Sequence, residues 1–98
     1  MRLSEEQARA IARSTREVFG DQAVVRLFGS RVDDKRRGGD IDLYLEIPDR
    51  EDWLGAKHAF LRRLYKELGE RQIDVVIHRK GTPWKLIDEV AIKTGIVL

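Results

Sequence analysis

Two aspartates one residue apart, Asp40 and Asp42, open an alternating apolar stretch, DIDLYLEI. In an extended chain, residues i and i+2 point to the same side, about 6.6 Å apart. Both carboxylates therefore aim into one small volume. Like charges held that close repel, which raises the cost of ionising both. A hard divalent cation removes the repulsion. Magnesium takes oxygen ligands at roughly 2.0–2.1 Å, commonly one or two carboxylates plus the phosphates of a substrate. A third acid, Asp74, stands between Ile73 and Val75 in the apolar run QIDVVIH. If that run is a strand beside the first, three carboxylates can hold two ions at roughly 3.5–4 Å, a spacing suited to in-line phosphoryl transfer.

The second feature is the turn Gly29-Ser30-Arg31, directly after the run AVVRLF. Without a side chain, Gly29 lets a phosphate approach the backbone closely. Ser30 and Arg31 are expected to start a short helical turn whose free N–H groups favour an anion. The Ser30 hydroxyl can donate to a phosphate oxygen, and the Arg31 guanidinium can make a paired contact. A phosphate cradle beside carboxylates that hold metal is what a nucleoside triphosphate requires. Taken singly, a glycine-serine turn is usually an ordinary turn, and Asp-x-Asp on a strand is often a solvated face. The inference rests on all three features in this order.

These residues need elements to position them. Ser4 and Gln7 form a capping-box signature. Ala8, Ile11, Ala12, Thr15, Val18 and Phe19 then recur at helical spacing, up to a stop at Gly20. Residues 23–28 read as a strand, and residues 40–47 as a second with strict alternation. In that second strand Ile41, Leu43, Leu45 and Ile47 face a core. Asp40, Asp42, Tyr44 and Glu46 face the other way. Pro48 ends it, and Asp49 is expected to cap a helix whose buried face carries Leu54, His58, Leu61, Leu64, Tyr65 and Leu68, with Gly69 as its stop. Residues 72–78 read as a third strand. Thr82 as N-cap and Pro83 at the first helical position are expected to open a last helix. Leu86, Ile87, Val90 and Ala91 would form its apolar stripe, ending at Gly95. The tail Ile96-Val97-Leu98 reads as either a short strand or part of a contact surface.

The predicted order is α-β-β-α-β-α, an α+β fold in two layers. It implies a small mixed sheet with helices mainly on one face and a parallel crossover from the second strand to the third. With 98 residues, the chain reads as one domain over 1–98. Cysteine is absent, which excludes disulfides, thiolate metal sites and cysteine nucleophiles. Two histidines leave little room for a histidine metal site or a Ser-His-Asp triad. The net charge of +2 is too small and too dispersed for general nucleic-acid binding, so nucleic acid is not expected as a direct ligand. No apolar run approaches the ~20 residues of a spanning helix, and acids occupy the place of a signal peptide's apolar stretch, so a cytoplasmic chain is expected.

Gly29-Ser30, a short spacer, Asp40-Ile41-Asp42-Leu43 and a single Asp74 in a later strand together resemble the DNA polymerase β-type nucleotidyltransferases. The closest resemblance is to the minimal stand-alone nucleotidyltransferases of bacteria and archaea, and it covers nearly the whole chain. The chain departs in one place: Gly38-Gly39 stands where the family often has a small polar residue before the first acid. The resemblance implies a polymerase β-like nucleotidyltransferase fold. It implies that Asp40, Asp42 and Asp74 are catalytic and hold two magnesium ions, and that Gly29, Ser30 and Arg31 contact the phosphates of ATP. It also implies that Asp74 helps deprotonate an attacking hydroxyl. Such proteins are often encoded beside a HEPN-domain protein as a toxin–antitoxin pair, and some antitoxins of this type transfer AMP to a tyrosine of the partner.

The alternative is a non-catalytic module that neutralises a HEPN partner by masking it. Small-molecule nucleotidylation ranks lower, since such enzymes generally carry an extra domain for the acceptor. Oligomerisation stays open. Elsewhere the plainer readings lead: Lys35, Arg36 and Arg37 as a solvated loop rather than a triphosphate-steering patch, His58 as a packing or edge residue, His78 in a solvent or cap role, Trp53 and Trp84 as core-edge packing, and Glu46 as solvated. Tyr44 shares a face with the acids, and is either an exposed strand aromatic or part of a nucleotide pocket's lining.

Overall fold

The computed structural model describes residues 3–29, 40–69 and 71–98. Helix α1 spans Glu5–Phe19, strands β1 and β2 span Val24–Phe28 and Ile41–Ile47, helix α2 spans Trp53–Leu68, β3 spans Ile73–Arg79, α3 spans Leu86–Thr94 and β4 spans Ile96–Val97. The architecture is a small α+β fold with a mixed four-stranded sheet in the order β3-β2-β1-β4. β1 runs antiparallel to both β2 and β4, and β2 runs parallel to β3, as the helical crossover between them predicts. Among the described residues no helix is long and apolar enough to cross a membrane.

Local chemistry explains the first helix. The Ser4 hydroxyl accepts from the Gln7 amide at 3.1 Å, and the Gln7 side chain accepts from the Ser4 amide at 3.0 Å. Each bond satisfies a backbone donor that the first turn leaves free. Gly20 ends the helix at φ 96°, a region that favours glycine. The alternation of β2 also holds. Ile41, Leu43, Leu45 and Ile47 are fully buried, and with Val25, Leu27, Ile73 and Val75 they form the sheet's contribution to the core. Ile11 and Phe19 of α1, and Ala56, Phe60 and Leu64 of α2, close over that face. The Phe19 and Phe60 rings meet edge to face at 5.5 Å. Each such side chain contributes about 1.5–3 kcal/mol by leaving water.

Helix α3 packs alone on the opposite face, and there several expectations need correction. It begins at Leu86 rather than at Thr82 and Pro83, because the Thr82 hydroxyl donates to the Arg79 carbonyl at 2.7 Å and so belongs to the turn after β3. Its expected apolar stripe is largely outside: Leu86, Ile87 and Val90 are exposed, while Asp88 and Ala91 face the sheet. Asp49 does not cap α2. It accepts from Arg79 at 3.1 Å, and α2 starts after Asp52, which is held by Arg50 at 2.5 Å. On α2, Leu54, His58 and Tyr65 lie on the solvent side rather than on the buried face. The tail forms β4, with Leu27 opposite Ile96 and the Leu98 amide donating to Val25 at 3.0 Å.

Candidate active site

The acids lie at one end of the sheet. The core-facing residues of β2 and β3 fix the register, and that register sets Asp42 directly opposite Asp74 on the neighbouring parallel strand. Directly opposed residues share a face, on strands about 4.7–4.9 Å apart. The Ile41 amide donates to the Gln72 carbonyl at 2.8 Å, which ties the start of β2 to the start of β3. Asp40 immediately precedes β2 and is exposed, as is Asp74, whereas Asp42 is half-buried between β1 and β3. Burial pushes the Asp42 carboxyl above its ordinary pKa, and the charges of Asp74 and then Asp40 push it further.

On the other side of Asp42, Phe28 of β1 is its antiparallel partner, and Gly29 follows with φ 74°. A Cβ on Gly29 would stand 2.5 Å from Asp42 Oδ2 and 3.2 Å from its Cγ. Glycine is thus demanded twice, by the left-handed backbone and by the carboxylate that fills the space a side chain would take. Ser30 and Arg31 lie outside the described residues, as do Lys35, Arg36, Arg37 and the Gly38-Gly39 pair.

The donor set of Asp40, Asp42 and Asp74 consists of carboxylate oxygens only, which suits a hard cation such as magnesium and not a soft one. The repulsion that Asp74 and Asp40 exert on Asp42 is what such a cation would relieve. Among the described residues no three such side chains converge closely enough to enclose an ion as they stand. The acids share one end of one face, with Gly29 at its edge.

Further along the same face the residues take other roles. Tyr44 is fully buried rather than exposed or lining a pocket, and its hydroxyl donates to Asp88 Oδ1 at 2.9 Å. Burial and this hydrogen bond raise the Tyr44 phenol above its ordinary pKa. Asp88 Oδ2 accepts from the Lys85 amide at 2.7 Å and lies 3.6 Å from His78 Nδ1. His78 is buried, stacked on Trp84 at 4.4 Å, not solvated or capping. Glu46 is paired with Arg26 in a largely buried ion pair rather than solvated. Trp53 packs at the edge of the core with the Arg79 guanidinium 4.9 Å above its ring. Sequence reasoning missed Asp88 as the anchor of α3; the available signal was an acid in helical phase with Ala91 and Gly95.

No protein-family model matches the chain, and a comparison with curated proteins finds no significant match.

Proposed function

We propose that this protein is a magnesium-dependent nucleotidyltransferase that moves AMP from ATP to a hydroxyl of a partner protein. The observation that carries the reading is the placement of Asp42 between Asp74, its register partner, and Gly29, whose missing side chain makes room for it. Asp40, Asp42 and Asp74 would hold the magnesium. When bound, magnesium neutralises the triphosphate, eases ionisation of the acceptor hydroxyl and stabilises charge on the leaving group. Gly29 brings the backbone close to the phosphates, and Ser30 and Arg31 are assigned to the same phosphates from the sequence. The acceptor oxygen bonds to the α-phosphorus as the bond from that phosphorus to the bridging oxygen breaks. Pyrophosphate leaves, and the hydroxyl proton passes to the Asp74 carboxylate and then to solvent. The family resemblance supports a cytoplasmic HEPN-domain toxin as acceptor and an antitoxin role for this chain.

The test mixes the purified chain with ATP labelled on the α-phosphate, magnesium and the product of the neighbouring gene. Label is expected on the partner, with transfer reduced roughly 10²–10³-fold or more by Asp42→Asn, on the scale of losing a group that stabilises transition-state charge. No transfer, or undiminished transfer by the Asp40→Asn/Asp42→Asn double variant, overturns the reading.

One observation favours neutralisation by masking instead. Trp84, Leu86 and Val97 are 59%, 77% and 58% exposed, apolar side chains that a partner could cover. Neutralisation that survives the double variant would favour this second reading.

A further inference from the structure

β3 is an edge strand: among the described residues only β2 pairs with it. The Gln72 carbonyl accepts from Ile41, and the Lys80 amide donates to the Ile47 carbonyl at 2.9 Å. These two bonds show that the even-numbered positions turn their backbone groups toward β2. Strand alternation then turns those of Ile73, Val75, Ile77 and Arg79 to the open edge. The Arg79 carbonyl is taken by Thr82. Seven residues of strand are long for an edge, and no proline or bulge interrupts them.

The C-terminal half of that strand, Val76 to Arg79, borders a cleft of about 400 Å³. Trp53 borders it with Ile77 and Arg79, and Pro83, Lys85 and Ile87 border it from the turn and helix beyond. The charge of the cleft's far end is positive. Arg79 is engaged by Asp49, but among the described residues Lys80 and Lys85 are exposed and make no ion pair. Asp88, which borders the cleft, is buried and committed to Tyr44 and the Lys85 amide, and Glu89, one turn on from Lys85, is paired with Lys93. Asp74 lies at the other end of the strand, about 13 Å from position 78 at the usual rise per residue.

We propose that the open edge of β3 is the docking slot for an extended segment of a partner protein, which adds as a fifth strand with acidic residues toward Lys80 and Lys85 and a hydroxyl-bearing residue beside Asp74. Main-chain hydrogen bonds to the edge supply affinity, and the cleft walls select apolar side chains at alternate positions. A residue laid beside Asp74 on the acid face is delivered to the carboxylates without a separate acceptor domain. The slot rests on the strand edge, the cleft and the lysines; the role of the hydroxyl rests on the nucleotidyl-transfer reading.

The probe is a synthetic peptide as long as β3, blocked at both ends, alternating valine with glutamate in one half and carrying one tyrosine in the other. Its binding is followed by amide hydrogen exchange. Exchange at Ile73, Val75 and Ile77 is expected to slow roughly tenfold on saturation, in the parent and in Asp42→Asn alike. The surface variant Lys80→Glu/Lys85→Glu is expected to weaken binding roughly tenfold or more, about 1.4 kcal/mol. Unchanged exchange along β3, protection confined to β4 or α3, or equal binding by the charge-reversed variant overturns the slot. With labelled ATP and magnesium added, protection of β3 without label on the tyrosine overturns the transfer role alone, whereas label without protection overturns the slot alone.

Discussion

Gly29 and Gly55 make a controlled pair. Gly29 adopts φ 74°, and a methyl there would run into the Asp42 carboxylate; Gly55 sits inside α2 with nothing within 4 Å of its would-be Cβ. Gly29→Ala is expected to cost about 1–3 kcal/mol, from the strained backbone and the displaced carboxylate. It should also depress nucleotide transfer far more than Gly55→Ala. Gly55→Ala should instead stabilise the fold by roughly 0.5–1 kcal/mol, because alanine is the better residue inside a helix. Urea titration of the two variants checks both signs. At this scale the sequence was informative for a definite reason. The two-residue period puts Asp40 and Asp42 on one side wherever the chain is extended, with no other contact needed. That Gly29 must be glycine because of Asp42 was not readable, since that contact depends on how β1 and β2 align.

Elements succeed or fail as predictions according to how local their causes are. The capping box of α1 joins residues three apart, and the period of β2 needs only its own side chains, so both were legible. Helix α3 was not. Its sheet-facing position is Asp88, whose partner Tyr44 lies 44 residues away in sequence. Periodicity therefore assigned the core side to Leu86, Ile87 and Val90, which are exposed. The misplaced start at Thr82 has a similar origin, in a hydroxyl bound to the preceding strand's turn. The Tyr44–Asp88 bond is thus a principal tie between α3 and the sheet. Tyr44→Phe removes a donor from a buried carboxylate and is expected to cost about 1–3 kcal/mol. Hydrogen exchange should show α3 amides losing protection before those of α1, whose packing on α2 the change does not touch.

For the molecule as a whole, Asp42 contributes a distinct dependence of stability on pH. Folding raises the pKa of Asp42, so the folded state holds that proton more tightly than the unfolded chain. Well below the ordinary carboxylate range both states are protonated and the group is neutral in its effect. As pH climbs from the ordinary value, about 4, through the raised one, the fold loses stability. With a chelator present, Asp42→Asn should therefore melt higher than the parent at pH 7, and the gap should shrink as pH falls below that range. Magnesium with ATP at about ten times the dissociation constant should stabilise the parent by about 1.4 kcal/mol, and the variant by much less. Calorimetry across pH, with and without the ligand, checks the pattern. A parent that melts higher than the variant at pH 7 in chelator would contradict it.

The register of β2 on β3 has a bearing on quality control. Leu43 and Val75 point into the core on the same two strands that carry Asp42 and Asp74 outward. A slip by one position would turn one strand's greasy side chains into water as it scattered the acids. Copies with a scrambled centre would then be sticky and conspicuous to proteases, rather than soluble impostors competing for the same partner.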